Sequence, residues 1–278
     1  MPDIIISSKD LAGQSIFKQL TENFGFKKIN KKFEGNDIWT KNEIRLITTN
    51  RELLYCDHLD ILRSDLLIFG SQHKSESGRP SLLVHCTGNW GDNADYGGRP
   101  NEIAFSSGSA MKTALIELKN QKEQLELDDF DVSLEVTHHG PTQLDTPLVF
   151  IELGSTPKEW KNAKGALAVS YAIIKVAESK KVYKNYIGIG GPHYAQKFSK
   201  VVGNPDINFT VSHIIPKYFI DSLSKKMISE CIKKSKEPIE AFVFDWKGTN
   251  SIQRKKIIPF IESLNYKYKK IKDFERNF

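Results

Sequence analysis

This chain lacks the usual marks of a cross-linked or membrane-bound protein. Among its 278 residues only 3 are cysteines, Cys56, Cys86 and Cys231, and no two form a CxxC pair. An odd, scattered set is expected as buried thiols in a reducing cytoplasm, not as a disulfide framework. No apolar stretch approaches the ~20 residues that cross a bilayer, and the short apolar run after Met1-Pro2-Asp3 is no signal segment. There is no internal repeat, no low-complexity tract and no convincing linker. HExxH and a zinc-binding cysteine quartet are also missing, so no ready-made metal motif announces a function.

What is present is ordinary in bulk and uneven in detail. A hydrophobic content of 39% and a charged content of 27% fit a water-soluble globular chain of this length, long enough for a full core and expected to form a single domain over 1–278. Residues 223–278 carry 14 Lys/Arg against 7 Asp/Glu, while the remaining 222 residues hold 26 against 27. A basic end on a neutral body suits contact with a polyanion such as RNA, or simply a solvated lysine-rich surface.

Apolar β-branched runs alternate with helical patterns. Strands are expected at Ile4 to Ser7, Ile38 to Trp39, Ile44 to Thr48, Leu66 to Phe69, Leu82 to His85, Val132 to Val136, Leu148 to Glu152, Tyr186 to Ile189, Phe209 to Val211, Ala241 to Phe244 and Tyr266 to Ile271. Helices are expected at Ala12 to Asn23, Ile103 to Lys122, Pro157 to Lys180, Lys217 to Lys234 and Ser251 to Leu264. Ser155-Thr156-Pro157 supplies hydroxyl capping followed by proline in a first turn. The alternation predicts an α/β layered fold with a mixed, mostly parallel sheet flanked by helices.

The histidines fall where such a fold places ligands. Six of the 7 follow or end a strand-like run: His73, His85, His138, His139, His193 and His213. In a mainly parallel sheet those ends gather on one rim. His138 and His139, with Glu135 nearby, and His193 offer the imidazole and carboxylate donors that zinc takes. Equally, a histidine without metal can act as a general base. Neighbouring His138 and His139 point apart if the chain is extended there. A tight turn at Gly140-Pro141 is needed for both to reach one ion. Ile187-Gly-Ile-Gly-Gly191 falls short of a dinucleotide-binding GxGxxG. The backbone N–H groups of Gly190 and Gly191 are candidate oxyanion donors or merely parts of a turn. Lys74 and Arg79 suit phosphate contacts, and Tyr194 suits stacking on a base.

Several segments together resemble the archaeal and plant type of D-aminoacyl-tRNA deacylase. They are His73-Lys-Ser-Glu-Ser-Gly-Arg-Pro80, Leu83-Val-His-Cys-Thr-Gly-Asn-Trp90, Tyr96-Gly-Gly-Arg-Pro100, Glu135-Val-Thr-His-His-Gly-Pro-Thr142, Phe150-Ile-Glu-Leu-Gly-Ser-Thr156 and Gly188-Ile-Gly-Gly-Pro-His-Tyr194. They run in family order across most of the chain, and the Thr-His-His-Gly-Pro-Thr and Gly-Gly-Pro-His-Tyr runs are the specific ones. The resemblance implies hydrolysis of the ester joining a D-amino acid to the 3′ end of tRNA, zinc dependence, an aminoacyl-tRNA substrate, and a fold similar to phosphorylases and peptidyl-tRNA hydrolases. It hands over motifs, not settled roles. The expected catalytic group is His138, His139, His193, Glu135, Gly190 and Gly191, with His138, His139 and His193 as metal ligands. The expected substrate contacts are His73, Lys74, Arg79, His85, Asn89, Glu152 and Tyr194. Either Glu135 or Glu152 is expected to meet the α-ammonium. No membrane and no obligate protein partner is expected. The rival readings are a zinc amidase or peptidase on a related scaffold, a noncatalytic RNA-binding protein, and a nucleoside phosphorylase-like enzyme.

Overall fold

The computed structural model describes residues 1–275. Its strands are β1 (Pro2–Ser7), β2 (Lys27–Phe33), β3 (Asn36–Lys41), β4 (Ile44–Thr49), β5 (Leu66–Lys74), β6 (Ser81–His85), β7 (Gly88–Asn89), β8 (Glu102–Ile103), β9 (Asp131–Leu134), β10 (Leu148–Ser155), β11 (Asn185–Ile189), β12 (Thr210–Ile215), β13 (Ile239–Phe244) and β14 (Tyr268–Lys270). Its helices are α1 (Leu11–Asn23), α2 (Gly108–Gln124), α3 (Pro157–Trp160), α4 (Ala163–Glu178), α5 (Gln196–Val202), α6 (Lys225–Lys233), α7 (Ser251–Ser263) and α8 (Lys272–Glu275).

These strands form two main sheets rather than one. The larger has eight strands in the order β2-β3-β4-β1-β5-β10-β6-β9, and the smaller has four in the order β12-β11-β13-β14. β1, β4, β5 and β10 run parallel to their neighbours among themselves, and β9 runs parallel to β6. β6 is antiparallel to β10, and β2, β3 and β4 form an antiparallel meander. The smaller sheet is parallel throughout. β1, β5 and β10 each carry an apolar run and are buried nearly end to end, as central parallel strands must be when both faces are covered. Among the described residues no helix is long and apolar enough to cross a membrane.

Local chemistry explains where elements start. Asp10 caps α1, its carboxylate accepting from the Gly13 N–H at 2.7 Å. Thr156 caps α3 in a reciprocal capping box with Glu159, as the Thr156-Pro157 pair foretells. The helix expected over 157–180 is nevertheless broken in two, because Asn162 accepts from the Gly165 N–H at 2.9 Å and caps α4 afresh. The helix expected from Ile103 starts at Gly108, since Glu102–Ile103 pairs with Gly88–Asn89 and Ser107 supplies the cap. The one expected from Lys217 begins only at Lys225, after a Ser224 cap. β2 escaped the sequence reading: Lys27-Lys-Ile-Asn-Lys-Lys32 is polar and mostly exposed, the composition of a guarded sheet edge.

Two corrections matter for the site. Because β6 runs against β10, with His85 opposite Phe150, its end does not join a common rim. β12 runs on through Ile215, so His213 lies inside a strand of the smaller sheet. It is fully buried there, and its Nε2–H donates to the Lys234 carbonyl at 2.9 Å.

Candidate active site at the seam of the two sheets

The segment after β9 pairs with the segment after β11, joining the two sheets. The Val136 N–H donates to the His193 carbonyl at 3.0 Å and the Ala195 N–H to the Leu134 carbonyl at 2.9 Å. This seam sets Glu135 opposite Tyr194. Next to it, β5, β6 and β10 present Ser71, His73, His85, Phe150 and Glu152, with Ser71 opposite Glu152 and Phe150 opposite His85. A cavity of about 940 Å³ opens over these residues and is lined by His73, His138, His139, His193, Glu152 and Phe150, among others.

His138 and His139 do face the same way. His139 sits in the left-handed region at φ 46°, which turns the chain out of the extended form that would part the two rings. Their ring centroids are 4.4 Å apart, and His138 lies 4.3 Å from His85 and 4.6 Å from His193. The Gly88 N–H clamps the turn by donating to the His139 carbonyl at 2.7 Å. Phe150, stacked on Phe69 at 4.4 Å, forms an apolar floor 5.3 Å from both His85 and His139.

Three of the imidazoles are oriented by a backbone carbonyl. The Nδ1–H of His138 donates to the Val136 carbonyl at 2.8 Å, that of His139 to the Gly140 carbonyl at 2.6 Å, and that of His85 to the Cys86 carbonyl at 3.2 Å. A carbonyl only accepts, so each Nδ1 carries its proton, and in His138 and His139, once neutral, the Nε2 keeps its lone pair. Burial, aided by the charge of His85, drives the pKa of His138 well below the ordinary imidazole value, and the same causes drive His139 down to about 3. Both are neutral at physiological pH.

The carboxylates complete the cluster. Glu135 is fully buried and Glu152 nearly so. His193 Nε2 lies 2.8 Å from Glu135 Oε1, yet neither oxygen of Glu135 has an aligned hydrogen-bond partner, and His85 Nε2 is likewise orphaned. Glu152 accepts from Ser71 Oγ at 2.7 Å and lies 3.3 Å from His73 Nδ1 and 3.5 Å from His85 Nε2. Burial raises the pKa of Glu152, but the charge of His85 and the close approach of the His73 and His85 rings outweigh it and hold the carboxyl well below its usual range. Burial lowers His73 and His85, and the same two glutamates outweigh it and raise both. Among the described residues, no Lys or Arg forms an ion pair with either glutamate. One ligand-capable atom from each of His85, His138 and His139 lies within 4.8 Å of the others, and the same holds for Glu135, His138 and His193 and for His73, Glu135 and Glu152.

Residues 61–269 match the family model described as D-aminoacyl-tRNA deacylase. A curated D-aminoacyl-tRNA deacylase of Thermococcus onnurineus is 37% identical over 281 residues, covering 96% of this chain and 99% of that protein. One of Pyrococcus furiosus is 39% identical over 261 residues, covering 90% and 93%. The chain belongs to the D-aminoacyl-tRNA deacylase family. A crystal structure of a conserved protein of unknown function, AF0625, shares the fold of this deacylase-family chain with a TM-score of 0.91 at 29% identity, covering 100% of this chain and 98% of that one.

Within this member of the deacylase family, the expected site residues divide. His73, His138, His139, His193, Glu135 and Glu152 come together. His85, expected as a substrate contact, instead sits fully buried among the ligand-capable groups. Gly190 is a correction: its N–H donates to the Ile215 carbonyl at 2.8 Å and is not free for an oxyanion. Neither Gly190 nor Gly191 lines the cavity. Their positive φ values of 98° and 92° serve the turn that delivers His193. Tyr194 is tied to His73 Nε2 at 3.1 Å and does not line the cavity, so stacking on a base does not describe it. Asn89 lines the wall but spends its amide on the Gly97 and Arg99 carbonyls at 2.9 and 3.1 Å. Lys74 stands at the cavity, whereas Arg79 is exposed beside Asp131 at 3.9 Å and away from the lining. Sequence reasoning missed Asp10, which lines the same cavity and whose carboxyl burial raises to about 6. Its position just past the end of β1 was the available signal.

Proposed function

We propose that this chain hydrolyses the ester joining a D-amino acid to the 3′ end of tRNA, releasing free D-amino acid and tRNA, and that the seam cavity holds that ester. Family membership carries the activity. The observation that supports the placement is the convergence of His73, His138, His139, His193 and Glu152 on one cavity, with His85 and Glu135 buried against them.

The donor set fits zinc. Neutral imidazoles whose other nitrogen donates to a backbone carbonyl are the usual form of metal-bound histidine. Buried carboxylate oxygens without hydrogen-bond partners need a cation or a donor. His85, His138 and His139 would hold one ion, with the carboxylate of Glu135 close to His138. When bound, zinc lowers the pKa of a coordinated water toward about 7 and supplies the nucleophile at neutral pH.

The chain's own groups do the rest. Glu152, kept ionised and facing the cavity, pairs with the substrate α-ammonium and thereby fixes the chiral centre. His193 has a side chain 37% exposed and no hydrogen bond from its ring to the backbone. It is free to take a proton from the attacking water and return it to the departing ribose oxygen, a role worth typically 10²–10⁴ in rate. Lys74 meets phosphate at the cavity mouth. Hydrolysis of matched D- and L-aminoacyl-tRNA tests the reading. Rapid release from the D-ester only is expected, and equal release or none would overturn it.

A further inference from the structure

The segment Tyr96-Gly-Gly-Arg-Pro100 plays no part in the cluster just described, yet it is built with unusual stringency. Gly97 and Gly98 have φ +80° and +73°, and a Cβ on Gly97 would lie 2.1 Å from the Leu54 carbonyl oxygen, one on Gly98 2.5 Å from Thr142. Only glycine fits at either position. The loop is further pinned by the two Asn89 amide bonds and by the Arg99 N–H donating to Thr142 Oγ1 at 2.9 Å. The Tyr96 carbonyl accepts from the Gly140 N–H at 2.9 Å, so Tyr96 is fastened to the residue after His139.

All of this holds one side chain in the open. Tyr96 is 70% exposed and lines the cavity. Among the described residues its ring has no aromatic or cationic partner and its hydroxyl no hydrogen bond. Exposure alone means little, since single surface aromatics are common. A rigid mount beside the reacting cluster is different, because it holds the ring ready at little further entropic cost. Trp90 and Phe219 line the same cavity, and so do the exposed Lys9 and Lys74. Neither lysine pairs with a carboxylate among the described residues.

We propose that Tyr96 is the stacking surface for the terminal nucleobase of the tRNA. The inference rests on the deacylase reading. The ester is carried by the ribose of the terminal nucleotide, so the base of that nucleotide is one sugar away from the reacting carbonyl. An aromatic face fixed next to His139 meets it there, while Lys9 and Lys74 take the phosphates. Stacking tolerates any base face, so the contact fixes the end of the nucleic acid without reading its sequence and leaves chirality to the amino-acid side.

The test is a double-mutant cycle between protein and RNA. Binding of uncharged tRNA with a complete 3′ end, and of the same tRNA lacking its terminal adenosine, is measured for wild type, Tyr96→Ala, Tyr96→Phe and Tyr96→Trp. Removing the adenosine should weaken wild-type binding roughly 5- to 100-fold. Tyr96→Ala should weaken the complete tRNA by a similar factor and be indifferent to the adenosine. Phe and Trp should behave as wild type, which shows that the mount still folds. Independent, multiplying effects of the two deletions would overturn the inference, and so would a Phe variant as weak as Ala. Wild-type hydrolysis of D-aminoacyl-tRNA is followed in parallel. Hydrolysis without coupling sinks only the Tyr96 contact, whereas no hydrolysis removes the reading beneath it.

Discussion

The loop bearing His138 and His139 and the loop bearing His193 reach the same cavity, but they hold their imidazoles in opposite ways. The first pins each Nδ1–H on a backbone carbonyl and keeps both rings neutral. The second leaves its ring beside Glu135, half exposed and without a backbone bond. A locked neutral ring has its lone pair aimed and suits a ligand's role. A loosely held ring against a carboxylate can pick up and release a proton. On the proposed function, two glycine- and proline-broken loops after strands, alike on paper, divide the labour of one site.

The comparison breaks most sharply under substitution. His138→Ala should remove bound zinc and lower D-aminoacyl-tRNA hydrolysis by about a thousand-fold or more, measured as single-turnover rate alongside metal content. His193→Ala should cost about 10²–10⁴ in rate while the thermal midpoint stays within about 2 °C. Should both variants lose metal equally and keep the same residual rate, the two loops would not differ in kind.

His213 sharpens the contrast as a fourth histidine tied to a backbone carbonyl, but one with no ion pair to a carboxylate among the described residues. Burial lowers its pKa to about 4, against the smaller opposing effect of the Lys234 carbonyl bond. Unfolded histidine titrates near 6.5. Between those values the unfolded chain binds more protons, so stability falls as pH drops from about 6.5 through about 4. His213→Gln should flatten that part of a pH-dependent denaturation curve and leave metal content unchanged. The smallest effect is expected at the cavity mouth, where Lys74→Ala should raise KM a few-fold and reduce the salt dependence of tRNA binding by about one in the log–log slope.

Much of this was legible in the residues. The buried runs of β1, β5, β10 and β13 and the Thr156 cap follow from β-branched periodicity and hydroxyl chemistry. The Thr-His-His-Gly-Pro-Thr segment carried the family resemblance. What could not be read was direction and pairing. Nothing in Ser81–His85 says that it runs against β10, so His85 looked like a strand-end contact when it belongs with His138 and His139. Nothing in Gly190-Gly191 says that one N–H is already committed to Ile215. The split into two sheets arises from long-range pairing, and the seam between them, where Glu135 faces Tyr194, joins segments nearly sixty residues apart. β2 was invisible because its lysines mark an edge and carry no alternation.

The most direct measurement is a zinc titration of metal-stripped protein that reads bound metal and D-aminoacyl-tRNA hydrolysis in the same samples. Activity should be negligible without metal, rise in proportion to zinc bound and stop rising when the histidine–glutamate cluster is filled. Full hydrolysis by the metal-free protein would contradict the account.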